Sequence, residues 1–341
     1  MLRHQIIVSA NEVWPPFVLV AGLLLIGAVA ADERLFEAVG ARVSRSRIGG
    51  RGLLVALLGL VAVVTAVLNL DTSVVFLTPV LVHAARRRSL DERPFLYGSL
   101  FMANTASLVL PGSNLTNLLV LRAAPESAPA FAADMLLPWI AACGVTTAFL
   151  ALAFRLDGGE TDRSDLPPLR VSVGAGATLV AAVLVVMLPD PALPVLAVGI
   201  AATALRQIWP RIDVRALALL FTLTVVLGTT ARIWHEPALP RSGGVWATAG
   251  IAALASVLVN NLPAAAVLSA HPTHDPQALV LGLDLGPNLA VTGSLSAVLW
   301  LAASRAVGGD ASIATYSRLG ALLVPATLTA ALVTSTLAAR I

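Results

Sequence analysis

Two acidic residues, Asp71 and Asp284, lie inside otherwise apolar stretches of this sequence. A charged residue at the centre of a membrane helix costs about 2.5 to 3.5 kcal/mol on insertion scales, so such residues are usually retained for a function. Either carboxylate can carry a proton across a membrane or coordinate sodium. Asp71 is followed by Thr72 and an apolar run, so it can also cap a helix N-terminus. The two roles are compatible, because a capping carboxylate can still titrate.

Uncharged polar residues cluster around both acids. A helix that breaks within a membrane leaves unpaired amides at one end and unpaired carbonyls at the other, and these ends bind ions without a charged side chain. The sequence therefore predicts a substrate or ion site built from amides, hydroxyls and two carboxylates. Its predicted members in the first half are Asn69, Asp71, Thr72, Ser73, Asn104, Ser113, Asn114, Thr116 and Asn117. Those in the second half are Asn260, Asn261, Asp284, Asn288, Thr292 and Ser294.

The elements that must position these residues are membrane helices. Of 341 residues, 57% are hydrophobic and 12% are charged, and the mean hydropathy is +0.87. Soluble domains carry about a quarter charged residues, and a helix needs about 20 apolar residues to cross the bilayer. The composition therefore predicts an all-α integral membrane protein with about ten segments, and it excludes a separate soluble domain.

The composition also limits which kinds of partner the protein can bind. The single cysteine, Cys143, excludes disulfides within the chain and a thiolate cluster for a soft metal. The chain has no Lys, and its 22 basic residues are Arg placed in loops, without the aromatic interleaving of a nucleic-acid surface. We expect the lipid bilayer and a small ion or oxyacid as partners, and no nucleic acid, metal or cofactor beyond a coupling ion, H⁺ or Na⁺.

The arginines predict the topology. Loops assigned to the cytoplasm hold 17 Arg and outer loops hold five, which satisfies the positive-inside rule. This assignment requires segment 53–85 to enter and leave on the cytoplasmic side as a re-entrant hairpin, with its tip at Asn69–Ser73. Segment 245–270 is predicted to do the same from outside, with its tip at Val259–Pro263. Non-helical backbone at that depth requires burial in protein or a wet cavity.

The two hairpins suggest a repeat of opposite orientation. The tips pair Asp71 with Asn261, and each hairpin precedes an interrupted helix, over 94–121 and 276–304, in which Asn104 aligns with Asp284. Five crossings separate the two units, which inverts the second. We predict a first repeat over 1–160, connecting transmembrane helices over 161–210 and a second repeat over 211–341, the pattern of a secondary transporter site near the midplane. The alternative is that Gly and Pro are simply common in membrane helices.

The polar clusters read "LDTSVVFLTPV", "MANTASLVLPGSNLTNLL", "VNNLPA" and "GLDLGPNLAVTGSLSAVLWL". These stretches resemble the bacterial arsenite efflux pumps of the ion transporter superfamily, which also contains sodium/proton antiporters and divalent anion:sodium symporters. The resemblance implies proton-coupled efflux of arsenite or antimonite, as the neutral trihydroxide, across the bacterial inner membrane. It implies coupling through Asp71 and Asp284, and it leaves open a soluble ATPase subunit or a homodimer as partners.

Two departures from that family affect the mechanism. The family commonly has an acid where this sequence has Asn104, and an Asn-Asp pair where it has Leu70-Asp71. The chain is also shorter than typical members. These departures bear on proton stoichiometry and on the direction of transport.

Other functions remain open at this stage. Sodium/proton exchange would use the carboxylates and the carbonyls of the broken helices. Carboxylate uptake would favour matching Ser-Asn-Thr clusters, but the first half has "SNLTN" where the second has "GSLSA". An intramembrane hydrolase would need a base beside Ser113, and neither His83 nor His271 is placed for that by sequence. A passive channel is a further alternative, because hairpins also build pores.

Overall fold

The protein is described here by a computed structural model that covers residues 2–156, 172–188, 190–210, 214–233, 244–270 and 275–338. Within these ranges the chain is helical, with no strand. The predicted fold class, an all-α membrane protein with several apolar helices, is confirmed. The predicted repeat boundaries at residues 160 and 211, and His271, lie outside the described residues.

The helices of the described chain alternate between long apolar elements and short ones. The first seven are α1 (Leu2–Asp32), α2 (Leu35–Ser44), α3 (Gly50–Val67), α4 (Leu70–Arg87), α5 (Arg93–Ala106), α6 (Leu115–Ala123) and α7 (Ala128–Ala153). They are followed by α8 (Val173–Met187), α9 (Ala192–Arg206), α10 (Val214–Ile233), α11 (Gly244–Val259), α12 (Asn261–Leu268), α13 (Pro276–Leu285), α14 (Leu295–Ala306) and α15 (Ile313–Ala338).

Four of the described helices are long and apolar enough to cross a membrane, namely α1, α3, α7 and α15. Five shorter apolar helices, α8, α9, α10, α11 and α14, join them in the bundle. Leu152, Leu179 and Leu258 are among the large apolar side chains that remain exposed. Apolar side chains on the outer surface of a bundle are what a lipid environment accepts, so the structure agrees with a multi-pass membrane protein.

The N-terminal helix is longer than the apolar segment 17–31 that the sequence shows. Helix α1 extends back to Leu2, and some residues of its first half pack against the bundle while others, such as Ile6 and Ile7, are exposed. Ser9 and Val13 are buried, and the Phe17 ring lies 5.4 Å from the Phe221 ring of α10. The arginine-rich stretch after α1 also contains a helix, α2, whose apolar face packs on α4.

The first predicted hairpin consists of α3 and α4, joined at Leu68 and Asn69. The break falls at the predicted tip, where the Asn69 side chain caps α4 by accepting a hydrogen bond from the Thr72 amide at 2.7 Å. At the other end, Arg88 donates to the Ile48 carbonyl at 2.7 Å. This contact joins the end of α4 to the residues just before α3, so the segment returns to the end of the bundle from which it starts.

The second predicted hairpin, α11 and α12, is shorter than the first. Its break lies at Asn260, which has a left-handed backbone with φ 76° and caps α12 by accepting from the Leu262 amide at 3.3 Å. Helix α12 has only 8 residues, whereas α4 has 18. That both hairpins re-enter the membrane stays a prediction.

Helices α1, α8 and α9 form a closely packed unit beside the first hairpin. A methyl group at Gly22 would lie 2.7 Å from the Leu196 backbone nitrogen, so only glycine allows α1 and α9 to approach this closely. The Glu33 carboxylate accepts a hydrogen bond from the Gly174 amide at 2.7 Å and forms an ion pair with Arg206 at 3.2 Å. Glu33 thus ties the end of α1 to the start of α8 and the end of α9.

These contacts define two ends of the bundle. The arginine-rich end consists of the ends of α1, α2, α4 and α9 with the starts of α3, α5 and α8. At the opposite end, Gln277 donates to Asp134 at 2.6 Å and Arg122 pairs with Asp190 at 3.4 Å. Helices α5 and α13 start at opposite ends, which is the relation that the predicted inversion requires.

Candidate functional site

The first broken helix is α5 followed by an unwound stretch and α6. The stretch contains a short 3-10 turn at Pro111–Ser113, and the Asn114 side chain caps α6 by accepting from the Thr116 amide at 3.3 Å. Asn117 donates to the Ser107 carbonyl at 2.8 Å and to the Leu110 carbonyl at 3.2 Å, and the Ser113 hydroxyl contacts the same two carbonyls. Ser113 and Asn117 therefore stabilise the unwound backbone.

The second broken helix is α13 followed by two 3-10 turns, Gly286–Leu289 and Val291–Gly293, and then α14. The Ser294 hydroxyl caps α14 by accepting from the Ala297 amide at 3.3 Å. Helix α15 passes so close to this break that a methyl group at Gly320 would lie 1.8 Å from the Asn288 carbonyl oxygen. Glycine at position 320 is therefore what permits the break to lie against α15.

Asp284 lies near the end of α13 and is fully buried. Its carboxylate accepts hydrogen bonds from the Asn114 amide at 2.9 Å, the Thr116 hydroxyl at 2.5 Å and the Ser107 hydroxyl at 3.3 Å. All three donors belong to the first half of the chain. Asn114 and Thr116 lie at the start of α6, where the helix dipole stabilises negative charge. The acid of the second half therefore binds the half-helix of the first.

Asp71 lies in the first turn of α4 and is partly exposed. Its carboxylate accepts a hydrogen bond from the hydroxyl of Ser296, the second residue of α14. Thr116 is likewise the second residue of α6. Each of the two acids thus meets the same position of a half-helix that belongs to the other half of the chain.

A third contact between the halves joins the two breaks through amides. Asn104 donates to the Asn288 side-chain oxygen at 2.8 Å, and both residues are fully buried. The Tyr316 hydroxyl of α15 donates to the Pro287 carbonyl at 3.0 Å and approaches the same Asn288 oxygen at 3.3 Å. The Tyr316 ring stacks on Phe101 of α5 at 4.6 Å. Tyr316 therefore holds the second break in register with α5.

The tip of the first hairpin carries buried polar atoms that have no hydrogen-bond partner among the described residues. They are the Thr65, Thr72 and Ser73 hydroxyls and the Asn69 side-chain nitrogen. Outside this tip, the side-chain oxygens of Asn104 and Asn117 are also buried without a hydrogen-bond partner. An unsatisfied buried polar group costs about 1 to 3 kcal/mol, so native structures contain few of them. Four such atoms within nine positions of the chain mark this tip as able to contact a ligand.

Not every predicted residue joins these contacts. Thr292 is exposed, and its hydroxyl donates to the Val257 carbonyl at 2.9 Å, which ties the second break to α11. Asn260 donates to the Thr292 carbonyl at 3.4 Å. Asn261 is buried at the start of α12, and Ser294 serves as a helix cap. Asn260 and Thr292 hold the second hairpin against its break, and none of these four residues hydrogen-bonds to either acid.

Sequence reasoning missed three residues that complete the contacts between the halves, namely Ser107, Ser296 and Tyr316. Ser107 and Ser296 lie in the predicted stretches "MANTASLVLPGSN" and "TGSLSA". Their position in these stretches indicated a role at the site, but the sequence did not indicate which residues they contact. Tyr316 lies in an apolar helix far from any polar cluster. Its only signal is that the chain has 2 Tyr in total.

The caps fix the alignment of the two halves. Asn114 and Ser294 cap the two half-helices, and this alignment places Asn104 opposite Asp284, as the sequence suggests. In the hairpins the caps are Asn69 and Asn260, and they place Asp71 opposite Leu262. Alignment on these caps shifts the sequence-based pairing of Asp71 with Asn261 by one residue, and the repeat itself stays a prediction.

Comparison with known proteins supports a transporter. Among solved structures, the chain is similar to the crystal structure of the Alcanivorax borkumensis YdaH transporter, with a TM-score of 0.56 and 14% identity over 97% of this chain and 86% of that chain. At this identity the likeness concerns the fold. The family model described as "CitMHS: Citrate transporter" matches residues 4–286, which includes both hairpins and the first broken helix. Membership of the arsenite branch stays a prediction. The chain belongs to the CitMHS citrate transporter family and is a secondary membrane transporter.

Proposed function

We propose that the protein is a proton-coupled efflux carrier for a small neutral oxyacid, arsenite or antimonite as the trihydroxide. The observation that carries this proposal is the composition of the contacts between the halves. Around Asp284 they consist of a carboxylate, an amide and two hydroxyls, and around Asp71 of a carboxylate and a hydroxyl. In the part of the chain that the structure describes, no Arg or His side chain is a hydrogen-bond or ion-pair partner of either acid, so a polycarboxylate anion would meet negative charge here without a compensating cation.

A neutral trihydroxide suits such a site for two reasons. Its hydroxyls can both donate and accept, which matches the unpaired atoms of Thr72, Ser73 and Asn69 at the first hairpin tip. The single cysteine cannot build a three-thiolate trap, so binding would be reversible, and transport needs modest binding. The two carboxylates then serve as proton carriers, since an acid at this depth is rarely retained for structure alone.

A second candidate is transport of a polycarboxylate, which the description of the family favours. The N-termini of α6 and α14 can stabilise an anion through their amides. On this reading the acids would be protonated or bound to cations whenever the anion is present. Sodium/proton exchange is a third candidate, because carboxylate, hydroxyl and carbonyl oxygens also coordinate sodium.

The test is transport in proteoliposomes under an imposed pH gradient, with arsenite, antimonite, citrate, succinate and sodium offered in parallel. We expect arsenite and antimonite to accumulate against their gradients and to dissipate the pH gradient, whereas protein-free liposomes show neither effect. Citrate or succinate flux without arsenite flux would favour the second candidate. Proton movement driven by sodium alone would favour the third, and flux that ignores the pH gradient would indicate a channel.

The site assignment is tested separately from the cargo. Asp71→Asn and Asp284→Asn should each weaken coupling of the transported species to protons, whichever species that is. Coupling that survives both substitutions would remove the two acids from the mechanism and leave the family membership untouched.

A further inference from the structure

One face of helix α4 is open along its whole length. The residues of α4 that are not buried are Asp71, Val75, Phe76, Pro79, His83, Arg86 and Arg87, whereas all its other residues are buried. Five of these recur every four residues, so each lies beside the next and the face winds gradually around the helix. The face runs from the break between α3 and α4 to the arginine-rich end of the bundle. At 1.5 Å per residue this is a length of about 24 Å.

The outer part of this face forms one wall of a cavity of about 420 Å³ between α2 and α4. The Phe36 and Phe76 rings stack at 5.8 Å on its floor, and a methyl group at Gly40 would meet Val80 at 2.3 Å, so the two helices touch along that line. His83 and Arg87 stand on the α4 wall at the end farther from Asp71. Arg34 and Glu37, paired at 2.8 Å, stand on the α2 wall.

The inner part of the face leads from the cavity to Asp71. Val75 lines the cavity and lies one helical turn from Asp71, on the same side of α4. Asp71 is only partly exposed and does not itself line the cavity. A carboxylate that faced hydrocarbon would be costly, so we expect the exposed part of Asp71 to face the inner end of this path. The residues Arg34, Glu37, His83 and Arg87 make the walls of the mouth polar, and Glu37 offsets the charge of Arg34.

We infer that the open face of α4 is the path by which the coupling cation, H⁺ or Na⁺, reaches Asp71 from the arginine-rich end, with the cavity between α2 and α4 as its mouth. This inference rests on the proposed function for the identity of the cation. The geometry of the path is independent of the cargo. Asp284, which is fully buried, has no comparable open face and is closed in this conformation.

The chain is well suited to a labelling test, because Cys143→Ala alone makes it free of cysteine. On this background, Val75→Cys and His83→Cys place thiols at the middle and the mouth of the path. Val74→Cys is the control for burial on the same helix, since Val74 is 0% exposed. Val63→Cys on α3 is the control for lipid exposure, since Val63 is an apolar side chain that is 58% exposed.

The probe is a membrane-impermeant, positively charged methanethiosulfonate reagent applied to inside-out and right-side-out vesicles. A cysteine thiolate attacks the reagent and displaces its sulfinate, and thiolates form in water. We therefore expect Val75→Cys and His83→Cys to react about tenfold faster than both controls, and only in inside-out vesicles. Modification of Val75→Cys should then block proton-coupled flux. The same reagent should leave flux unchanged in the two control variants, because their thiols do not react.

Two results would overturn the inference. Labelling of Val75→Cys no faster than that of Val63→Cys would show that lipid covers the face, and rapid labelling that leaves coupled flux unchanged would show that the cation uses another route. Failure of the proposed cargo is distinguishable from both, because labelling rates do not depend on which solute moves.

Discussion

Asp284 and Asp71 each accept a hydrogen bond from the second residue of a half-helix in the other half of the chain, yet their surroundings differ. Asp284 is fully buried and has three side-chain donors, whereas Asp71 is partly exposed and bonds one hydroxyl. The same contact is therefore fully buried in one half and less completely buried in the other. A carrier needs a site that opens to one side at a time, and this difference is what such a cycle requires.

The largest effect should come from Asp284→Asn. The amide keeps the shape of the side chain and removes the titratable group, so we expect transport driven by a pH gradient to fall to the background of protein-free liposomes while the protein stays folded. The measurement is initial flux in proteoliposomes, with size-exclusion chromatography as the check on folding. The matched control is Asp310→Asn in the same half, since Asp310 is exposed. Undiminished flux would mean that Asp284 is a structural residue.

The second effect compares the two breaks. In Gly320→Ala the new methyl group would lie 1.8 Å from the Asn288 backbone carbonyl oxygen, whereas in Gly112→Ala it would lie 2.7 Å from a methyl group of the Val185 side chain. Overpacking costs about 1 to 3 kcal/mol, which exceeds the gain of about 1 kcal/mol from replacing glycine in a helix. We expect Gly320→Ala to lower the melting temperature in detergent more than Gly112→Ala. A melting temperature above that of the parent would show that α15 does not constrain the second break.

The third effect separates the closed acid from the open one. Thr116→Val removes a donor to a buried carboxylate, and the loss of a hydrogen bond to a charged group costs about 1.5 to 3 kcal/mol. Ser296→Ala removes the hydroxyl donor of a carboxylate that is partly exposed, so we expect a water molecule to replace the hydroxyl at lower cost. We expect at least about a tenfold loss of flux for Thr116→Val and a smaller loss for Ser296→Ala. Equal losses would show that Asp71 is closed as well.

The smallest effects should come from the caps of the two hairpins. Asn69→Ala removes a buried cap with extended backbone and should lower the free energy of unfolding by about 1 kcal/mol. Asn260→Gly should change it by only a few tenths, because glycine adopts the φ of 76° at that position without strain. Thermal melting followed by tryptophan fluorescence measures both. A larger loss for Asn260→Gly would mean that its contact with Thr292 matters more than its cap.

Much of the architecture could be predicted because it depends on local chemistry. The apolar composition predicts membrane helices, and Asn69, Asn114 and Asn260 each end up capping a helix at a predicted break. The extent of α1 could not be predicted from its apolar run, because its first turns lie before that run and meet α10 only in the folded bundle. Helix α2 was not predicted, because the arginines in and around it make the segment look like a charged loop although one of its faces is apolar.

By itself, the sequence determined where the helices break and that two acids lie near the breaks, since caps, glycines and apolar runs act within a few residues. Only the tertiary structure decided that Asp284 meets Asn114, 170 positions away, and that Asp71 meets Ser296, 225 positions away. It also decided that Asp284 is fully buried whereas Asp71 is partly exposed. Those properties depend on how helices that are distant in sequence pack together. The type of a residue does not specify which residue it will contact after packing.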